Sequence, residues 1–402
     1  MESSSGPIAP NPVLAWLQSE GVRFRETAEL VDALANELLR AGVDIHRLTF
    51  GVPILHPQFD SSGYLWQRGK AVKENRFKLD QEGIQNFQNS PMAIVYGGRS
   101  FRSRLEAPPQ IGEFPILTDL RKEGVTDYVA HTLPFSDGSW KAVTYATRRP
   151  GGFPQDHIAV LESLAPMLAT IVEVQTLHRT TLTLLDTYVG PSAGRRVRDG
   201  AIKRGMCEAI EAVIWFCDLR GFTELSEDLP GNELVSLLND YFGAMTDAVE
   251  RHGGEVLKFI GDAVLAIFPL SGKEAPLVAG GALVAAQEAE EAIHTLNEQR
   301  SRAAQPLIRF GLALHVGEVL YGNIGGARRL DFTVIGHAVN VATRIESLCK
   351  TLKRSILLSS EFAHLCGNTS EPLGRFPLKG VGTEQPVYAL SADPTVLSRG
   401  GF

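Results

Sequence analysis

The sequence is poor in cysteine: its 402 residues hold four, Cys207, Cys217, Cys349 and Cys366, with no CxxC pair among them. That excludes a disulfide framework and a cysteine redox motif, and it reads as reduced, mostly buried thiols. An excess of positive charge is also missing. Lys and Arg total 39 against 46 Asp and Glu, a net charge of −7, which argues against a general binder of nucleic acid or of an anionic membrane surface. No uninterrupted apolar run approaches the roughly 20 residues of a bilayer span. The opening MESSSGPIAPNP lacks the charged and apolar parts of a secretory leader, so a cytoplasmic protein with no membrane partner is expected. No repeat of fixed period is apparent in either half.

What is present is a globular composition, 44% apolar and 21% charged, at a length that suits two domains. Three prolines and three consecutive serines predict a disordered tail over residues 1–12. Residues 13–156 read as an α/β domain. Leu14, Leu17, Leu30, Leu34 and Leu38 have helical spacing, and short β-branched stretches follow at 48–55, 92–97, 126–135 and 140–147 as antiparallel strands. Residues 157–207 read as a helical connector and linker. Leu161, Leu164, Leu168, Ile171, Gln175, His178, Leu182 and Leu185 keep a three-four spacing that fits a parallel coiled coil or a helix packed on its own domain. Val189-Gly190-Pro191 should stop it, and the basic run after it reads as a solvated linker face. From 208 to 393 strands and helices alternate, predicting an α+β domain with helices covering a sheet.

Two acidic residues stand out in that last stretch. Asp218 ends the apolar strand IWFC, and Asp262 sits in the turn IGDAV between two apolar segments. Carboxylates at strand ends can hold divalent ions near a phosphate, although a lone Asp at such a place is more often a helix cap or turn former.

The strings FCDLRGFTELSE, KFIGDAVLAIF, HVGEVLYGNIGGARRLDFTVIG and HAVNVATRIESL occur in this order and resemble the catalytic domain of class III nucleotide cyclases, over roughly 211–390. The resemblance implies a ferredoxin-like cyclase domain that converts ATP to 3′,5′-cyclic AMP and diphosphate with two Mg²⁺ or Mn²⁺ ions. It assigns the ions to Asp218, Asp262 and the backbone carbonyl of Leu219, and phosphate contacts to main-chain N–H groups up to Phe222 and Thr223. Arg344 would stabilise charge on the transferring phosphate and Asn340, four residues before it on one helix face, would orient the ribose. Lys258 and Thr333 would read adenine, where guanylate cyclases present Glu and Cys. Lys379 is a further candidate for the triphosphate, and Arg220 reads as a solvent or interface residue. In the family the two sets of residues meet from opposite subunits, so a homodimer with shared sites is expected. The alternatives are a guanylate cyclase and a catalytically silent regulatory homologue.

The string GGFPQDHIAVLESLAPMLATIVE resembles the end of a GAF-type regulatory domain; PAS-like sensors fit the same layout. A GAF-like sensor is therefore expected, either taking a small-molecule ligand or serving a purely structural dimerisation role, and Trp16, Trp66, Tyr96, Tyr128 and Trp140 read as packing residues or as the lining of a pocket.

Overall fold

The structure, a computed structural model, describes residues 11–390 apart from 57–58, 79, 110, 202, 271, 273 and 327–328. The chain divides into two compact units, Met1–Thr187 and Tyr188–Phe402.

The first unit runs α1 (Pro12–Ser19), α2 (Thr27–Arg40), β1 (Arg47–His56), β2 (Phe59–Gln67), β3 (Lys73–Phe77), α3 (Gln81–Gln88), α4 (Met92–Tyr96), β4 (Phe101–Arg104), α5 (Pro115–Lys122), β5 (Asp127–Pro134), β6 (Trp140–Thr147) and α6 (Gln155–Val189). Its six strands form one antiparallel sheet in the order β3-β2-β1-β6-β5-β4. The period-two alternation of β5 and β6 explains its two covered faces. Val129, Leu133, Val143 and Tyr145 pack with α1, α2 and α6, while Tyr128, Ala130, Ala142 and Ala146 pack with Val95 of α4 and Leu117 and Leu120 of α5.

Of the tail expected over 1–12, residues 1–10 lie outside the described residues. Asn11 caps α1, accepting from Val13 and Leu14 N–H, and Pro12 is its first residue. The segment 92–97, expected as a strand, is the short helix α4. Pro91 and Ser90 start it, the N–H groups of Ala93 and Val95 donating to Ser90 O and Pro91 O, and Met92, Val95 and Tyr96 fall on one face at helical spacing.

Helix α6 runs 35 residues through Pro166. Leu161, Leu164, Leu168, Ile171 and Gln175 are buried, so of the two partners open to the stripe, a second copy or its own domain, the first unit's own core takes it as far as Gln175. Gln175 is satisfied there: its amide donates to Phe24 O at 2.8 Å and accepts from Thr27 Oγ1 at 3.0 Å. By length and composition alone α6 could also cross a membrane. No short apolar run announces this, because Ala and Thr dilute the stretch.

The second unit runs α7 (Pro191–Arg198), β7 (Cys207–Leu219), α8 (Phe222–Asp228), α9 (Gly231–Arg251), β8 (Glu255–Ile260), β9 (Ala263–Pro269), α10 (Ala275–Arg302), β10 (Phe310–Gly325), β11 (Leu330–Ile335), α11 (His337–Leu352), β12 (Ile356–Ser359), α12 (Ser360–Leu365), β13 (Ser370–Phe376) and β14 (Gln385–Leu390). The sheet order is β13-β14-β12-β10-β7-β9-β8, with β11 paired to the far half of β10; β10 and β12 are parallel, joined by α11. This is the ferredoxin-like α+β architecture expected. Along β7, Val213, Trp215, Cys217 and Leu219 face α9 and α10, whereas Ala212, Ile214 and Phe216 face the side that carries Ala338 and Ala342 of α11. The basic run expected as a solvated linker begins with helix α7 instead. Ala193 is buried, and Arg196 lies 4.8 Å from the Tyr321 ring centre and 2.6 Å from Glu208.

Candidate active site

Strand parity puts Asp218 on the α11 side of the sheet, continuing Ile214 and Phe216. Two register pairs then fix its neighbours: Asp218 lies opposite Gly311 of β10, and Cys217 opposite Val264 of β9. The β8–β9 turn that holds Asp262 therefore closes beside the end of β7, near enough for the Asp262 charge to act on Asp218. Burial first, and the Asp262 charge second, push the Asp218 carboxyl up to about 6. Two hard oxygen donors that repel one another in a half-buried site are chemically suited to a divalent cation. Among the described residues no group of three or more His, Cys, Asp or Glu is placed to hold a metal. Leu219 buries its side chain in the α9–α10 core, leaving its main chain for the site.

After Leu219 the chain turns at Gly221, whose φ of +75° suits glycine, and enters α8. Phe222 and Thr223 open that helix, so their N–H groups have no intrahelical acceptor. Arg220, expected in solvent or at an interface, is held inside the domain. Its Nη2 donates to the main-chain oxygen of Glu346 at 2.8 Å and forms an ion pair with the buried Glu346 carboxylate. Glu346 Oε1 takes no aligned hydrogen bond, and burial pushes this carboxyl up to about 7 against the pull of Arg220, with Asp218 and Asp262 adding to the rise. Sequence reasoning missed Glu346 and Gly311. The signal for Glu346 was present: it is the one acid among Ala338, Val341, Ala342, Ile345 and Cys349 on the buried face of α11.

Asn340 and Arg344 lie on the other face of the same helix. Both are exposed, and neither side chain has a hydrogen-bond or ion-pair partner among the described residues. Arg344 and Glu346 are two residues apart, roughly 200° around the helix. Because Glu346 points at the Asp218 turn, Asn340 and Arg344 point away from it. Thr333 is 3% exposed and its Oγ1 has no partner. Lys258 of β8 is partly exposed, with Nζ 3.9 Å from Asp331 Oδ2 on β11, so Lys258 and Thr333 share the β8–β11 region. Lys379 sits in the exposed turn between β13 and β14, where its neighbour Leu378 packs with Val341 and Ile345.

The five aromatics of the first unit do not converge. Trp66 is in the core on the α1–α2–α6 side and Trp16 packs against that core, while Tyr128 and Tyr96 belong to the opposite face; Trp140 is 38% exposed.

Residues 207–392 match the family described as "Adenylate and Guanylate cyclase catalytic domain". The C-terminal part of the chain is thus a class III nucleotide cyclase catalytic domain. It is 38% identical over 162 residues to an adenylate cyclase of Anabaena cylindrica, covering 39% of this chain and 31% of that protein. Over 184 residues it is 30% identical to adenylate cyclase 1 of Rhizobium meliloti, covering 44% and 27%. The chain spans less than a third of the length of these two curated relatives. Among solved structures, that of the guanylyl cyclase Cya2 is 30% identical, with 47% of this chain and 96% of that chain covered, at a TM-score of 0.41.

Proposed function

We propose that this protein is an adenylate cyclase that forms 3′,5′-cyclic AMP and diphosphate from ATP at sites shared between two copies of the chain, under the control of its N-terminal unit. The nearness of Asp218 and Asp262 at the end of β7 carries the reading, since two mutually repelling carboxylates suit a divalent cation. Two Mg²⁺ or Mn²⁺ ions held by Asp218, Asp262 and the Leu219 carbonyl would supply Lewis-acid activation of the ribose 3′ oxygen and neutralise the departing diphosphate.

The chain's own residues do the rest. N–H groups of Phe222 and Thr223 receive phosphate oxygens, with Lys379 a candidate for the same triphosphate. Arg344 donates to the charge that develops on the α-phosphate, and Asn340 orients the ribose without adding charge. Lys258 donates to adenine N1, and the Thr333 hydroxyl accepts from the N6 amino group. The unpartnered buried Oγ1 of Thr333 supports this, since a buried hydroxyl without a partner costs stability unless a ligand completes it. The split faces of α11 support the homodimer: Asn340 and Arg344 turn away from the Asp218 of their own chain, so a second copy must bring the two sets together. The exposed apolar side chains Phe259, Ile260, Leu320 and Ile335 are consistent with an interface there.

Purified protein given ATP or GTP with Mn²⁺ should yield cyclic AMP in preference to cyclic GMP, and none after Asp218→Ala. Absence of any cyclic nucleotide from the parent protein refutes the enzyme; equal turnover of GTP refutes the base assignment.

For the N-terminal unit, the six-stranded antiparallel sheet with helices on both faces supports a GAF-like sensor, and α6, rooted in its core, supports a mechanical link to the output. Ligand binding would shift the helix and with it the shared cleft. Unchanged activity and dimerisation after removal of Met1–Thr187 would eliminate this control.

A further inference from the structure

We propose that Arg220 and Glu346 form a positioning pair that fixes the turn from Asp218 to Gly221 against α11, and that residue 311 is glycine to make room for them. The inference rests on the reading of Asp218 and Asp262 as metal-holding residues. Three observations converge on it. Arg220 is tied at both ends, its main-chain N–H donating to Arg309 O at 2.7 Å ahead of β10 and its guanidinium donating to Glu346 O at 2.8 Å on α11. The Glu346 side chain that receives its charge is only 5% exposed, against 23% for Arg220. Gly311, directly opposite Asp218 in the β7–β10 register, has no side chain where a Cβ would fall 2.7 Å from Arg220 Cζ and overlap both Nη2 and Glu346 Oε1.

The turn between Asp218 and α8 is short, so its placement decides where the Asp218 carboxylate and the Leu219 carbonyl sit. A buried ion pair is a poor source of net stability, because the desolvation of two charges offsets their attraction; replacing both by apolar residues of similar shape is often neutral or stabilising. Fold and positioning can therefore be separated. Residues that hold metal ligands in place, in contrast, typically cost about 10–100-fold in metal affinity when removed.

The test uses the full chain. Mn²⁺ alone is titrated by electron paramagnetic resonance into the parent, R220M/E346L, R220K and G311A, alongside thermal melts and steady-state kinetics. R220M/E346L should melt near the parent, yet bind Mn²⁺ about 10–100-fold more weakly and lose kcat with little change in nucleotide KM. R220K should recover part of the affinity, and G311A, which changes no charge, should lose affinity as the double variant does. Parent-like Mn²⁺ affinity in folded R220M/E346L or G311A overturns the proposal. Should both fail to fold, the near-isosteric E346Q decides: weakened Mn²⁺ binding supports the pair and unchanged binding overturns it. A parent protein that binds no Mn²⁺ and forms no cyclic nucleotide would instead sink the metal-site reading beneath it.

Discussion

Asp218→Asn should make the metal-free protein more stable while abolishing its activity. The Asp218 carboxyl is raised from an ordinary aspartate value of 3.8 to about 6 by burial and by Asp262. A carboxyl whose folded value lies above its unfolded one binds its proton more tightly when folded. The folded state therefore loses stability as pH rises from about 4 through 6, and carries the full cost above that. Converted without screening, that shift costs roughly 3 kcal/mol; Asp218 is half-buried, so solvent screening brings it to about 1–2 kcal/mol. For a domain of this size that is a rise in Tm of about 2–8 °C in Asp218→Asn at pH 8 in chelator, vanishing near pH 4 where the wild-type carboxyl is already neutral. Mn²⁺ should then raise the Tm of the wild type and leave the variant unmoved. A variant less stable than wild type at pH 8, or a gain that persists unchanged at pH 4, would show that the two carboxylates do not strain each other.

Arg344→Ala should reduce kcat by about 10²–10³-fold with a small change in KM, since the donor acts on charge absent from the ground state; a pure KM effect in steady-state kinetics would reassign it to substrate binding. Lys258→Glu combined with Thr333→Cys should move the ratio of kcat/KM for ATP over GTP toward GTP, and an unmoved ratio would remove both from base reading. In the first unit, the Asp127 side chain is fully buried, 2.7 Å from Arg102 Nη2 and 3.0 Å from Phe153 N. Asp127→Ala should cost about 3–5 kcal/mol in urea unfolding of that unit, and a loss below 1 kcal/mol would show the pair to be dispensable.

Periodic elements were the legible part of the fold. Strands β5 and β6 carry an apolar pattern long enough to identify them within a residue, at the stretches 126–135 and 140–147. The misreadings fall where tertiary context decides. Met92–Tyr96 has strand-like composition but begins behind Pro91, and its five residues are too few for periodicity to discriminate. The three-four stripe of α6 was correctly seen as one helix face, but a stripe cannot say whether its partner is another copy or its own sheet. The structure answers with the core of the first unit as far as Gln175, while His178, Leu182 and Leu185 lie outside it.

The candidate site was legible to the extent that chemistry is carried by single residues in ordered strings. Asp218, Asp262, Asn340 and Arg344 could be named because the strings that hold them resemble those of class III cyclases; a strand end or a turn alone left the two Asp residues as ordinary caps or turn formers. What supports them was not, because Arg220, Gly311 and Glu346 belong to three separate elements and meet only through strand register and helix rotation. One helix also serves two purposes that sequence spacing leaves merged. Residues 340 and 344 face outward while residue 346 faces the sheet, so in the proposed homodimer α11 would offer one surface to the second copy and the other to the turn of its own Asp218. A substitution at Glu346 should therefore act first on the metal side of its own chain, whereas one at Arg344 should act on the site completed by the partner.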